Sequence, residues 1–293
     1  MTGILIGTMV LLYTFQSAFC NLYARHYPGE RAFSSPVFSV FYGVTVTAGT
    51  LLLYAFRVPV SSVTLWMGTV NGTVLVLYNM FLIRAAALGP FSITKVFSVS
   101  GGILIPLIWS VLHDGEKLSV WQIAAILLMV FACVMMNLSG QKEKVKISLR
   151  FLLTITLLAC VNGCYGILVN TQQRVMEGTE NAGMILVTFA SSALLGLALL
   201  AFTARRKTFA AFRQTKKSAL FALISSVSAC AAIHLLMYLL SAVSAPVLYA
   251  INNGGILVVT VFWSRLILKE KLTPAKAVWL CLIVCAIVAL SLL

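Results

Sequence analysis

"GGILIPLIWSVLHDGEKLS", residues 101–119, and "GGILVVTVFWSRLILKEKLT", residues 254–273, carry the same succession of residue types at two places in one chain. Each opens on Gly-Gly-Ile-Leu and runs through Trp-Ser to Glu-Lys-Leu and a hydroxyl residue. Trp109 thus answers Trp263, Glu116 answers Glu270 and Lys117 answers Lys271. A small residue and a proline stand ahead of both copies, in "LGPFSITK" (88–95) and "SAPVLYAI" (244–251). Agreement over so many typed positions marks an internal duplication. Only the first copy is preceded by a lysine, Lys95, inside an otherwise apolar segment.

Working outward, the 293-residue chain is 61% hydrophobic and only 10% charged. A soluble domain carries about 25% charged residues because its surface faces water, so the surface here must face another medium. Apolar runs long enough to cross a ~30 Å hydrocarbon core, about 20 residues of helix, follow one another at roughly 3–24, 35–56, 63–86, 90–112, 119–138, 150–172, 182–203, 217–240, 245–267 and 274–293. Backbone groups in lipid must be satisfied internally, which makes helices the spanning form. The ten-residue alternating stretches of a β-barrel are absent. The first run, "MTGILIGTMVLL", has no basic residues before it and is read as a retained helix, not a signal peptide. The seven cysteines (20, 133, 160, 164, 230, 281, 285) all fall within runs and read as small packing residues, with neither disulfide nor metal implied.

The formal charge of +14 invites a nucleic-acid reading, which its distribution rejects. Of the 21 Lys and Arg, 17 lie in alternate connections: Arg25 and Arg31; Arg84; Lys142, Lys144, Lys146 and Arg150; Arg205, Arg206, Lys207, Arg213, Lys216 and Lys217; Arg265, Lys269, Lys271 and Lys276. The opposite connections hold Arg57, Lys117 and Arg174. Such asymmetry is the positive-inside signature; it places "KEKVK" (142–146) and "ARRKTFAAFRQTKK" (204–217) in the cytoplasm and both chain ends outside.

The duplication organises the chain as a first five-helix repeat (1–138), a basic linker (139–149) and a second repeat (150–293). An odd number of spans per half turns the second copy over, the inverted-repeat architecture of secondary transporters, in which the site lies near the midplane. The fold expected is all-α integral membrane, ten transmembrane helices in two inverted five-helix repeats. This pattern of proline, Gly-rich helix and "EKLS" or "EKLT" turn before the last helix of each half resembles the drug/metabolite transporter superfamily, and EamA-type ten-helix members most. The tail 248–293 also resembles the last two helices of small multidrug resistance proteins. The resemblance implies alternating-access transport of a small solute, with helices 5 and 10 peripheral. Those smaller proteins carry a glutamate in the first helix; "YTFQSAFCN" (13–21) offers Gln16 in its place.

All seven carboxylates (Glu30, Asp114, Glu116, Glu143, Glu177, Glu180, Glu270) fall in connections or at run ends. A charge-paired cation site, a two-carboxylate enzyme and a metal centre are therefore all without material, and no cofactor is expected. Lys95 is the sharpest candidate, because ionisable groups within spans usually face a cavity or a partner. It shares a helical stripe with Ser98 and Gly102, continued by Pro106 and Trp109. As a pathway residue it would favour an anionic substrate group or carry a coupling proton; as a snorkelling lysine it would reach the headgroups. Asn252 and Asn253, in "YAINNGG" (249–255), and neighbouring Tyr249 are hydrogen-bonding candidates for substrate, or else interhelical glue. His234 with Tyr238, Gln16, Asn79 and Asn162 complete the binding candidates, and Gly101, Gly102, Gly254 and Gly255 are candidate hinges.

These readings converge on a multi-pass protein of the bacterial inner membrane, not an enzyme. It would move a neutral or anionic organic metabolite (an amino acid, organic acid or sugar derivative) as a monomer or weak dimer among membrane lipids. No phosphate-binding Gly-x-x-x-x-Gly-Lys-[Ser/Thr] segment is present, so a gradient would supply the energy, a coupling proton among the options. The alternatives are multidrug efflux, a flippase for lipid-linked substrates, and a non-transporting membrane scaffold.

Overall fold

A computed structural model describes residues 2–88, 91–115, 117–138, 148–204, 211–267 and 274–292. Ten α-helices lie among them: α1 (Thr2–His26), α2 (Arg31–Leu53), α3 (Ser62–Leu88), α4 (Phe91–Leu112), α5 (Val120–Leu138), α6 (Leu149–Val175), α7 (Asn181–Ala204), α8 (Lys216–Leu239), α9 (Ala245–Ile267) and α10 (Pro274–Leu292). Every expected run is a helix. Six of them (α1, α2, α3, α6, α7 and α8) are long and apolar enough to cross a membrane. The protein is a multi-pass helical membrane protein by these criteria. Most of the linker (139–147), the second copy's Glu270 and Lys271, and Glu116 lie outside the described residues.

The starts of several helices follow from hydroxyl residues at the preceding position. Thr215 and Ser218 cap α8 reciprocally, the Ser218 N–H donating to Thr215 Oγ1 at 3.1 Å and the Thr215 N–H to Ser218 Oγ at 3.0 Å. Ser119 and Gln122 do the same at α5, at 3.1 and 2.9 Å. Each pair removes orphan amide donors that the membrane edge would leave costly. Large apolar side chains cover the outer surface: Phe202 is 83% exposed and Leu112 80%. In water such a surface would aggregate; against lipid chains it is solvated. Trp66 and Trp121 are exposed close to helix starts, positions that suit an indole at a membrane interface.

Contacts divide the chain into two compact units, Met1–Met80 with Leu168–Ser241, and Phe81–Ile167 with Ala242–Leu293. These are not the two sequence halves. Each unit draws on both, because helices pair across the halves: α1 with α8, α2 with α7, α4 with α9 and α5 with α10.

In the first unit, backbones approach closely where side chains are missing. A Cβ on Gly43 would stand 2.5 Å from the Phe189 carbonyl oxygen, and one on Gly72 would stand 2.6 Å from that of Thr188. Without a hydrophobic driving force between helices in lipid, this proximity supplies the packing energy. One end of the unit gathers the basic connections: Tyr27 donates from its hydroxyl to the Ala211 carbonyl at 2.7 Å, and Phe33, Val37, Leu200, Ala204 and Ala211 form a core beneath. Arg25, Arg31, Arg213, Lys216 and Lys217 therefore stand at one end of the unit.

At the other end Glu180 ties two connections together. Its carboxylate accepts from the Ser61 N–H and from the Ser61 hydroxyl, both at 2.9 Å, and Gln172 bridges to Thr64 at 3.1 Å. The Thr64 hydroxyl, then the Ser61 amide, hold this carboxyl below its ordinary range, against some desolvation. A group depressed on folding stabilises the native state above its unfolded pKa, and that contribution disappears as pH falls through the folded value. Glu180→Gln is thus expected to lower the thermal unfolding midpoint at pH 7. It should also remove part of the further fall that the native protein shows below about pH 4.3, as read by unfolding scans across pH 3–7.

Candidate functional site

The second unit collects most of the residues that the sequence singles out. Asn162 is near the middle of α6, Gly102 of α4 and Asn253 of α9. Gly102 lies eleven residues from the start of α4, about 16 Å along the axis, which is half of a ~30 Å hydrocarbon core.

The local chemistry begins with Gly102. In a helix the carbonyl of residue i lies beneath residue i+4, so a side chain at 102 would shield the Ser98 carbonyl. With none there, Asn162 reaches across from α6, and its Nδ2 donates to the Ser98 carbonyl at 2.7 Å. A Cβ at 102 would stand 2.6 Å from that nitrogen and 3.6 Å from Asn253 Nδ2. The two amides therefore converge over one glycine. Asn253 Nδ2 donates to its own helix at the Tyr249 carbonyl, 2.9 Å away, and the Tyr249 hydroxyl donates to the Gly166 carbonyl on α6 at 3.0 Å. Pro106 closes the ring, its Cγ 3.1 Å from where a Gly166 Cβ would be. Having no N–H, Pro106 leaves the Gly102 carbonyl without its usual helical donor.

Ser98 and Tyr249 are buried here; Asn252, which precedes Asn253 on α9, is buried too, and its amide oxygen has no hydrogen-bond partner among the described residues. The side chain of Lys95 lies outside the described residues; its backbone is in the first turns of α4. The four candidate hinge glycines are all buried. Gly101 packs on the Ala159 backbone of α6, and Gly254 faces Met129 of α5 and Ile287 of α10. Gly102 faces Asn162 of α6.

The remaining candidates belong to the first unit. His234 Nε2 is 3.1 Å from Thr50 Oγ1, and that hydroxyl spends its proton on the Val46 carbonyl at 2.9 Å. The imidazole must therefore donate from Nε2, which fixes its tautomer and makes it a link between α8 and α2. Its ring also lies against Tyr54, centroids 5.8 Å apart, whereas Tyr238 is 61% exposed. Asn79 donates to Ser39 Oγ at 3.3 Å. The backbone carbonyl of Gln16 accepts from Ser225 Oγ at 2.8 Å; its side chain is half-buried.

Sequence reasoning passed over Thr50, which nothing in "TAGTLLL" distinguishes, and Gly166, which a signal did mark. In "CVNGCYG" the glycines at 163 and 166 follow Asn162 on the face that α4 and α9 approach, Gly163 against Ile105 and Gly166 against Pro106 and Tyr249. Among the described residues no group of three His, Cys, Asp or Glu side chains could hold a metal ion.

No family model matches the sequence, and no curated protein matches it. The fold has a counterpart in a protein known from a crystal structure, similar with a TM-score of 0.76 over 99% of this chain and 96% of that one, at 15% sequence identity. Likeness at that identity is likeness of fold alone.

The geometry makes Gly102 and Asn162 an interacting pair. Gly102→Ala is expected to cost about 1–3 kcal/mol by overpacking, and Asn162→Ala about 0.5–1.5 kcal/mol for its lost hydrogen bond. The double variant should cost less than the two together, since the alanine methyl then has room. Unfolding midpoints of the four proteins measure the coupling.

Proposed function

We propose that this chain is a secondary transporter of a small neutral or anionic organic metabolite, built on the inverted-repeat plan of the drug/metabolite transporters. The observation that carries the reading is the amide cluster at mid-depth in the second unit, where Asn162 and Asn253 converge over Gly102 and Tyr249 bonds to Gly166 of α6. Polar side chains at that depth are expensive and mark solute pathways. Helix packing supports the repeat: α2 pairs with α7, α4 with α9 and α5 with α10, each five elements apart, and α4 contacts α5 as α9 contacts α10. Alternating access would use the glycine-lined contacts of α4 with α6 as the moving surface. In this reading Lys95, on the same helix as Gly102, recognises the solute's anionic group. The basic end of the first unit faces the cytoplasm.

Counterflow in proteoliposomes with a panel of amino acids, organic acids and sugar derivatives tests the activity. Gly102→Leu, whose side chain would occupy the place of the Asn162 amide, is expected to abolish exchange while the protein still reaches the membrane. Lys95→Ala should weaken binding of an anionic solute roughly ten- to a hundred-fold by loss of a charge-assisted contact, with Lys95→Arg recovering part of it. No exchange of any solute by the native protein, correctly inserted, would count against transport. For orientation, a single cysteine at Arg213 in a cysteine-free background should resist membrane-impermeant thiol reagents in intact cells and react once the membrane is opened.

A further inference from the structure

We infer that the basic end of the first unit binds an anionic phospholipid, its phosphate held where α8 begins beside the end of α1 and its acyl chains laid along α8. Arg213, Lys216 and Lys217 are all exposed within one short stretch of chain. The segment 204–217 carries six basic residues and no carboxylate, and no acidic residue stands in the first turn of α8. Glu30, the acid of the connection between α1 and α2, lies near Tyr27; one carboxylate against so many cations leaves this end strongly positive. The α8 macrodipole, positive at its start, adds to that charge. Like charges this close repel one another, and a phosphodiester set among them relieves the repulsion.

Ring contacts place these cations beside α1. His26 packs edge-on against Phe221, centroids 5.3 Å apart, and Phe19 lies 6.0 Å from the same ring. Lys217 precedes Phe221 by one turn on the same face of α8, so the last turn of α1 and the first turn of α8 adjoin across an aromatic seam. Lys216 heads a second stripe. Leu220, Leu223 and Val227 follow it at i+4, i+7 and i+11, and are 53%, 52% and 54% exposed. From Lys216 to Val227 is about 16 Å of helix, half of a ~30 Å hydrocarbon core and so the depth of one leaflet. Cation and apolar stripe repeat the order of a lipid, phosphate above acyl chain. A free phosphate would leave the stripe unused, and a zwitterionic headgroup would bring its own cation against the lysines. The opposite end of this helix pair has no such charge: α8 carries no basic residue in its last turn, and α1 begins Thr2-Gly3-Ile4.

The full chain in an uncharged maltoside detergent can be titrated with dioctanoyl phosphatidylglycerol, with dioctanoyl phosphatidylcholine, and with glycerol 3-phosphate as the headgroup alone, at constant ionic strength. Phosphatidylglycerol is expected to raise the unfolding midpoint saturably, and the other two to leave it unchanged. Each lysine at a membrane surface is worth roughly five-fold in affinity for anionic lipid, so the double variant Lys216→Gln, Lys217→Gln should raise the half-saturating concentration roughly twenty- to thirty-fold. Arg57→Gln, which removes a cation from the connection between α2 and α3, serves as the control and should leave that concentration unchanged. No response to phosphatidylglycerol, or an equal response to phosphatidylcholine, overturns the inference. An equal response to glycerol 3-phosphate also overturns it, making the cations a site for free phosphate. A loss in Arg57→Gln as large, per charge removed, as in the lysine variant reduces the effect to net charge and overturns the assignment to this end.

Discussion

A peptide group inside hydrocarbon has no water to bond, and each one left unpaired costs several kcal/mol. In this chain that condition governs what hydroxyl side chains in the helices do. Thr14, Thr50 and Ser226 turn back on the carbonyls of Val10, Val46 and Ala222 at 2.7–2.9 Å, sharing an acceptor already within their own helix. Helix-to-helix adhesion then cannot come from expelling water. It comes from proximity, which is why a Cβ on Gly43, Gly68 or Gly72 would meet the facing helix within 2.8 Å.

Against that background the second unit's amide cluster is an exception of a specific kind. Asn162 reaches a carbonyl of another helix, because Gly102 leaves that carbonyl uncovered. Pro106 opens the next carbonyl along the same helix. Both features weaken α4 within two adjacent turns while keeping it helical, and they do so beside the Asn253 amide. A packing-only design would have put apolar side chains there.

Charge plays its part at the margins. In the first unit the basic residues of two connections meet at one end, pinned by Tyr27 and Ala211, while Glu180 braces the connections at the other end through Ser61. His234 illustrates the difference between a residue type and its role. A histidine within a span suggests proton traffic, but its bond to Thr50 and contact with Tyr54 make it a link between α2 and α8.

The sequence by itself determined the helices, since apolar runs of spanning length admit one backbone solution in lipid, and the structure places a helix on each of them. It also marked Ser98, Gly102, Asn162, Tyr249 and Asn253, because polar or missing side chains inside such runs are conspicuous. Only tertiary structure decided which of these meet. Hydropathy carries no information about which face of one helix will oppose which face of another; that depends on where glycines let backbones close in. So Gly102 met Asn162 and Asn253, while Gly254, which answers Gly101 in the duplicated Gly-Gly-Ile-Leu, was directed to Met129 and Ile287. The division into two compact units was equally invisible, because it follows the pairing of helices from opposite halves and not the order of the chain. The direction of each amide was a tertiary result as well: an asparagine in a sequence is both donor and acceptor, and only the carbonyl placed before it selects which end turns to the backbone.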